Sequence, residues 1–159
     1  MAVRRGFSLG PKKYFIFPPV AISLTLLLII WLNLYLSVEI EPTAFAALGV
    51  EGGPDSGEYR FTIALLNQNG TNGPADGYIS LKIISHGGEE IYSTNFRVKS
   101  EEFREIRSGV GAGLIGFSWS VPVANLSASN GEVRGTAKVV FLSLYGHSIA
   151  GTLEIDLPR

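Results

Sequence analysis

Two histidines, His86 and His147, are the only side chains here that titrate near neutrality, because the chain has no cysteine. Each stands beside glycine, in His86-Gly87-Gly88 and Tyr145-Gly146-His147. Such stretches form turns, where a solvated imidazole is the expectation. Serines are plentiful, but the G-x-S-x-G elbow that would expose a nucleophile is missing. Gly111-Ala112-Gly113-Leu114-Ile115-Gly116 fits the spacing G-x-G-x-x-G. A dinucleotide site with that spacing needs a helix immediately after it, so that helical N–H groups meet the pyrophosphate. The next residues, Phe117-Ser118-Trp119-Ser120-Val121, alternate as a strand does. A flexible connecting loop is therefore expected. The acidic pairs Glu89-Glu90 and Glu101-Glu102 would need several more oxygens to hold a hard cation, and no Ca²⁺-loop spacing surrounds them. Solvated charges guarding sheet edges are the simpler expectation. No catalytic residue, metal ligand or cofactor is thus expected, and the chain is not expected to be an enzyme.

The elements carrying these residues are strands. Period-two alternation puts Tyr59, Phe61, Ile63 and Leu65 on one face, and separates Ile79, Leu81 and Ile83 from Ser80 and Lys82. Gly87-Gly88 joins that strand to 91–98, with Tyr92, Thr94, Phe96 and Val98 on one side. Residues 99–107 are charged and predict a short helical turn or an edge strand. Phe117, Trp119 and Val121 alternate up to Pro122, which ends the strand or places it at an edge. Two last strands, 136–144 and 149–157, flank the turn at Tyr145-Gly146-His147, with Leu153, Ile155 and Leu157 inward. Residues 49–57, 67–77, 109–116 and 124–135 are rich in turn formers and predict loops. Seven or eight short strands with such punctuation indicate an antiparallel sandwich. Its expected core aromatics are Tyr59, Phe61, Phe96, Phe117, Trp119 and Phe141.

The runs GYISLKIISHGGEEIYSTNFRVKSEEF, FSWSVPV and GTAKVVFLSLYGHSIAGTLEIDLP give this part of the chain its texture. Over about residues 58–158 it resembles the immunoglobulin-like or fibronectin-III-like domains of archaeal membrane-anchored surface proteins. The resemblance implies an Ig-like β-sandwich serving as an outside binding or structural module, with no activity attached. Two departures from antibody domains stand out: no Cys pair is present, and Trp119 lies in a late strand.

The domain is preceded by a run, 14–38, without a charged residue. About 20 apolar residues suffice for a helix to cross the hydrocarbon core. Pro18 and Pro19 suit its first turn, and 19–38 would span about 30 Å. Tyr14, Phe15 and Phe17 at one end, with Trp31 and Tyr35 near the other, match interfacial aromatic belts. Arg4, Arg5, Lys12 and Lys13 precede the run with no acid among them, whereas all fourteen acids come after it. The positive-inside rule then puts the N-terminus in the cytoplasm and the large domain outside the membrane. Ala44-Phe45-Ala46 offers a cleavage pattern, but the apolar run is longer than a signal peptide's, which favours a retained signal-anchor. A pilin-type leader ending at Gly6 is a further alternative, interrupted by Lys12, Lys13, Pro18 and Pro19.

The expected organisation is a cytoplasmic N-terminus (1–13), a transmembrane helix (14–38), a linker or first strand (39–57) and the extracytoplasmic sandwich (58–159). Beyond residue 38, nine basic residues face fourteen acids, a net of −5, which disfavours nucleic acid as a partner. Asn69-Gly70-Thr71 and Asn125-Leu126-Ser127 are N-glycosylation sequons in expected loops. The expected role is a binding or scaffolding module, as an accessory subunit of a membrane or cell-envelope complex. Its partners are membrane lipid and another protein, with Trp31, Asn33 and Tyr35 as contacts inside the membrane. The alternative is a filament or pilus subunit, a homo-oligomer assembled through the N-terminal helix or a donated strand.

Overall fold

The structure, a computed structural model, describes residues 27–29, 41–127 and 133–158. The chain divides into two units, Met1–Glu39 and Ile40–Arg159. In the first, Leu27, Leu28 and Ile29 are helical and exposed. The rest of the expected anchor, with Trp31, Asn33 and Tyr35, lies outside the described residues. Among those described, no helix is long and apolar enough to cross a membrane.

The second unit is all-β. Its described residues form eight strands: β1 (Pro42–Gly53), β2 (Glu58–Asn67), β3 (Gly77–Ser85), β4 (Glu90–Val98), β5 (Arg104–Glu105), β6 (Ile115–Pro122), β7 (Arg134–Ser143) and β8 (Ser148–Asp156). They build two four-stranded antiparallel sheets, ordered β1-β2-β6-β5 and β4-β3-β7-β8. The charged stretch 99–107 supplies both expected elements, a 3-10 turn at Ser100–Glu102 and the short edge strand β5.

The inner faces of both sheets share one core. Phe61, Ile63 and Leu65 from one sheet meet Ile79, Leu81, Ile83, Val139 and Phe141 from the other, all fully buried. This is the arrangement of a β-sandwich, and removing that apolar surface from water is its main stabilisation. Along one side β1 closes against β8: a Cβ added at Gly151 would lie 2.4 Å from Leu48 Cδ2. Along the other, Phe96 of β4 packs edge-on against Trp119 of β6 at 5.7 Å, and Phe103 meets Phe117 at 6.0 Å. Phe96, Phe117 and Trp119 are therefore half-buried rim residues, while Tyr59, Phe61 and Phe141 lie in the core as expected.

Two local irregularities shift residues from their expected faces. β3 pairs Ile83 with Tyr92 but Ile84 with Glu90, so a bulge at Ile91 turns that side chain into the core. β1 reaches Gly53, through residues whose glycine content predicts a loop. Register shifts between Pro42 and Ala44 and between Phe45 and Ala47 break its alternation. Gly49 is needed there because a side chain would collide with Val110, whose Cβ would be 2.5 Å away.

Val110 reaches Gly49 because the glycine-rich loop between β5 and β6 folds back over the outer face of the first sheet. A Cβ on Gly111 would lie 2.8 Å from that of Ala47, and one on Gly116 only 2.5 Å from Ile106 Cδ1 and from the Ile63 carbonyl oxygen. Beneath the loop, Thr62 and Ala64 are buried although they point away from the core.

Candidate functional site

The register fixes the two ends of the second unit. Pro42 pairs with Asn67 and Gly77 with Ser143. The start of β1, the 68–76 connection and the β7–β8 turn at 144–147 therefore share the end at which the chain enters. The 54–57 and 86–89 turns occupy the far end. His147 is at the first and His86 at the second, separated by the length of β3, roughly 27 Å at ~3.4 Å per residue. The two imidazoles cannot serve one reaction centre.

Each has its own surroundings. His147 Nε2 lies 2.5 Å from Glu41 Oε2, a pair that ties the β7–β8 turn to the residue before β1. Gln68 reinforces that join, its N–H donating to the Glu41 carbonyl at 3.0 Å. His86 lines a shallow cleft of about 120 Å³ with Arg134, Gly135, Thr136 and Glu154. A second cleft, about 220 Å³, is lined by Glu51, Gly52, Ser56, Glu58 and Arg60. Neither encloses a buried charged group, so both are surface features.

The acidic pairs are engaged separately. Glu90 Oε2 meets Lys82 Nζ at 2.5 Å, and that hydrogen bond holds the Glu90 carboxyl below the usual range. Glu101 pairs with Lys99 at 3.3 Å, while Glu102 accepts from the Lys99 N–H at 2.6 Å, closing the 3-10 turn. Among the described residues, no group of three or more His, Asp or Glu side chains is placed to hold a metal ion. Asp76 accepts from the Ser100 N–H at 2.5 Å, and that bond is the first cause of its lowered pKa. Gly111, Gly113 and Gly116 sit in the loop packed on β1, and the element after them is strand β6, not a helix. That loop presents no ring of helical N–H groups to a phosphate.

Both sequon asparagines are exposed. Asn69 Oδ1 accepts from Thr71 Oγ1 at 2.6 Å and from the Thr71 N–H at 3.0 Å. Asn125 closes a 3-10 turn at Val123–Asn125, with Leu126 packed against the core.

The feature that sequence reasoning passed over is apolar exposure at the end where the chain enters. Tyr78, Leu142, Leu144 and Tyr145 are 42%, 41%, 47% and 61% exposed. Tyr78 and Leu142 are cross-strand partners on the outer face of the second sheet. The available signal was phase: Leu142 and Leu144 alternate with buried Phe141 and Ser143, and large apolar residues occupy a turn that small polar ones usually fill. No family model matches the chain, and no curated protein is significantly similar to it.

Proposed function

We propose that this chain is a single-pass membrane protein with its N-terminus in the cytoplasm and one Ig-like β-sandwich displayed outside, where it binds or scaffolds and catalyses nothing. The observation that carries this is the charge-free run 14–38, preceded by Arg4, Arg5, Lys12 and Lys13 and succeeded at once by an all-β unit.

The strand order supports the Ig-like assignment. β1-β2-β6-β5 matches the A-B-E-D order of immunoglobulin constant domains, and β3-β7-β8 matches C-F-G, with β4 in the place of C′. A filled core, shallow clefts and histidines at opposite ends favour a binding role over catalysis. The partner is another protein of the membrane or cell envelope, met in the bilayer through Trp31, Asn33 and Tyr35. Purification of the full chain from its own membranes in mild detergent tests this. A stoichiometric partner is expected, and it should be lost on Asn33→Leu. Recovery of a lone monomer under every gentle condition would refute it.

The filament alternative draws on the edge position of β4, which among the described residues pairs with β3 alone. A mature N-terminus at Phe7 would favour a pilin subunit, and an intact N-terminus the anchored protein.

A further inference from the structure

We propose that the β7–β8 turn and the outer face beside it, carrying Leu144, Tyr145, Leu142 and Tyr78, rest against lipid at the outer surface of the bilayer. The inference rests on the anchored, outside-facing domain proposed above and adds a second membrane contact to it.

Three observations point to lipid as the occupant. The first is where the apolar run ends. Only residues 39–41 lie between Val38 and Pro42, and that length of extended chain reaches about 14 Å. A bilayer surface at which the run emerges is therefore within reach of the end bearing Pro42. The turn belongs to that same end, through the pair between His147 and Glu41 at 2.5 Å.

The second is the direction in which polarity changes on the outer face. The row nearest this end is Ser148, Leu142, Tyr78 and Arg97, with the two large apolar side chains at its middle. The next is Ala150, Val140, Ser80 and Asn95, apolar only in two smaller side chains, and the one after is Thr152, Lys138, Lys82 and Ser93, with none. Successive rows lie ~7 Å apart. A flat protein partner would call for an apolar patch spread across the strands; here apolarity falls along them, with depth, as it does at a lipid interface. Tyrosine and arginine are at home at headgroup level, one end of each being apolar and the other wet.

The third is the tip itself. Leu144 and Tyr145 stand on the turn between two paired strands, at 47% and 61% exposure. A hairpin tip is narrow enough to enter the headgroup layer without burying unpaired strand edges.

The chain's two tryptophans allow a direct test. Full-length protein is reconstituted in phosphatidylcholine vesicles, with and without bromine on the acyl chains near the headgroups. The parent carries Trp31 and Trp119, Trp31→Phe leaves Trp119 alone, and Trp31→Phe with Tyr145→Trp adds an indole at the tip. Brominated lipid should quench the parent and the tip variant but leave Trp31→Phe at its unbrominated intensity. If the parent is no more quenched than Trp31→Phe, the anchor itself is refuted and this inference falls with it. If the parent is quenched while the tip variant behaves as Trp31→Phe does, the anchor stands and the lipid contact alone is overturned, leaving the face to a second copy or a protein partner. Leu144→Trp repeats the tip measurement should Tyr145→Trp fail to fold.

Discussion

Tyr59 on β2 donates its hydroxyl to the backbone carbonyl of Asp156 on β8, at 2.5 Å, and so joins the two sheets by a hydrogen bond as well as by packing. Burial first, and the nearby Asp156 carboxylate second, push the Tyr59 pKa up from its ordinary value of 10.0. The folded state thus holds this proton more tightly than the unfolded chain. The stabilisation is complete below pH 10 and fades as pH rises through the folded value. Tyr59→Phe should cost about 1–2 kcal/mol at neutral pH and flatten the decline above pH 10. Urea unfolding of both proteins at a series of pH values measures this.

Trp119 buries its indole Nε1 with no acceptor among the described residues, while stacking on Phe61 at 5.5 Å and Phe117 at 5.9 Å. An unpaired buried N–H costs about 1–3 kcal/mol, whereas the ring contacts favour any aromatic. Trp119→Phe should be close to neutral or slightly stabilising. Trp119→Ala should cost about 3 kcal/mol, at the low end for tryptophan because the ring is only half-buried. Denaturant midpoints of the two variants separate the ring's contribution from that of its N–H.

Gly116 is fixed by packing. A side chain there would press on Ile106 and on the Ile63 carbonyl, and such overpacking costs about 1–3 kcal/mol. Gly116→Ala should lower the unfolding midpoint and increase amide exchange at Thr62 and Ala64, which the loop covers. Nucleotide at millimolar concentration should not restore it.

Legibility in the sequence ends where alternation breaks. β2, β3, β7 and β8 keep strict period two, and their inward residues were visible from the pattern. β1 was half lost: two register shifts hide its alternation, and its Gly49 answers to Val110, a neighbour far along the chain. Ile91 changes face through a single bulge that composition does not announce. Phe96, Phe117 and Trp119 share the phase of core residues but are only half-buried at the side of the sandwich, so phase gave their direction and not their depth. The alternation of Phe117, Trp119 and Val121 announced a strand after the glycine-rich spacing, and β6 is that strand. That the loop lies over β1 depends on tertiary contacts that no local pattern carries.

Asp76 clasps the 3-10 turn at Ser100–Glu102 through the Ser100 N–H, and its carboxyl is held below the usual 3.8. A lowered folded pKa contributes stability above the unfolded value and loses it as pH falls through the folded one. Asp76→Asn keeps an acceptor but removes the charge. Its unfolding midpoint should therefore fall less steeply than the parent's between about pH 4 and pH 2. Thermal unfolding across that range is the measurement.

The five lysines test the topology most directly. Lys82, Lys99 and Lys138 are exposed on the sandwich, and Lys12 and Lys13 precede the apolar run. A membrane-impermeant amine reagent applied to intact cells, with peptide mass spectrometry afterwards, should modify Lys82, Lys99 and Lys138 while Lys12 and Lys13 react only after lysis. Modification of Lys82, Lys99 and Lys138 only after lysis would contradict an outward-facing domain.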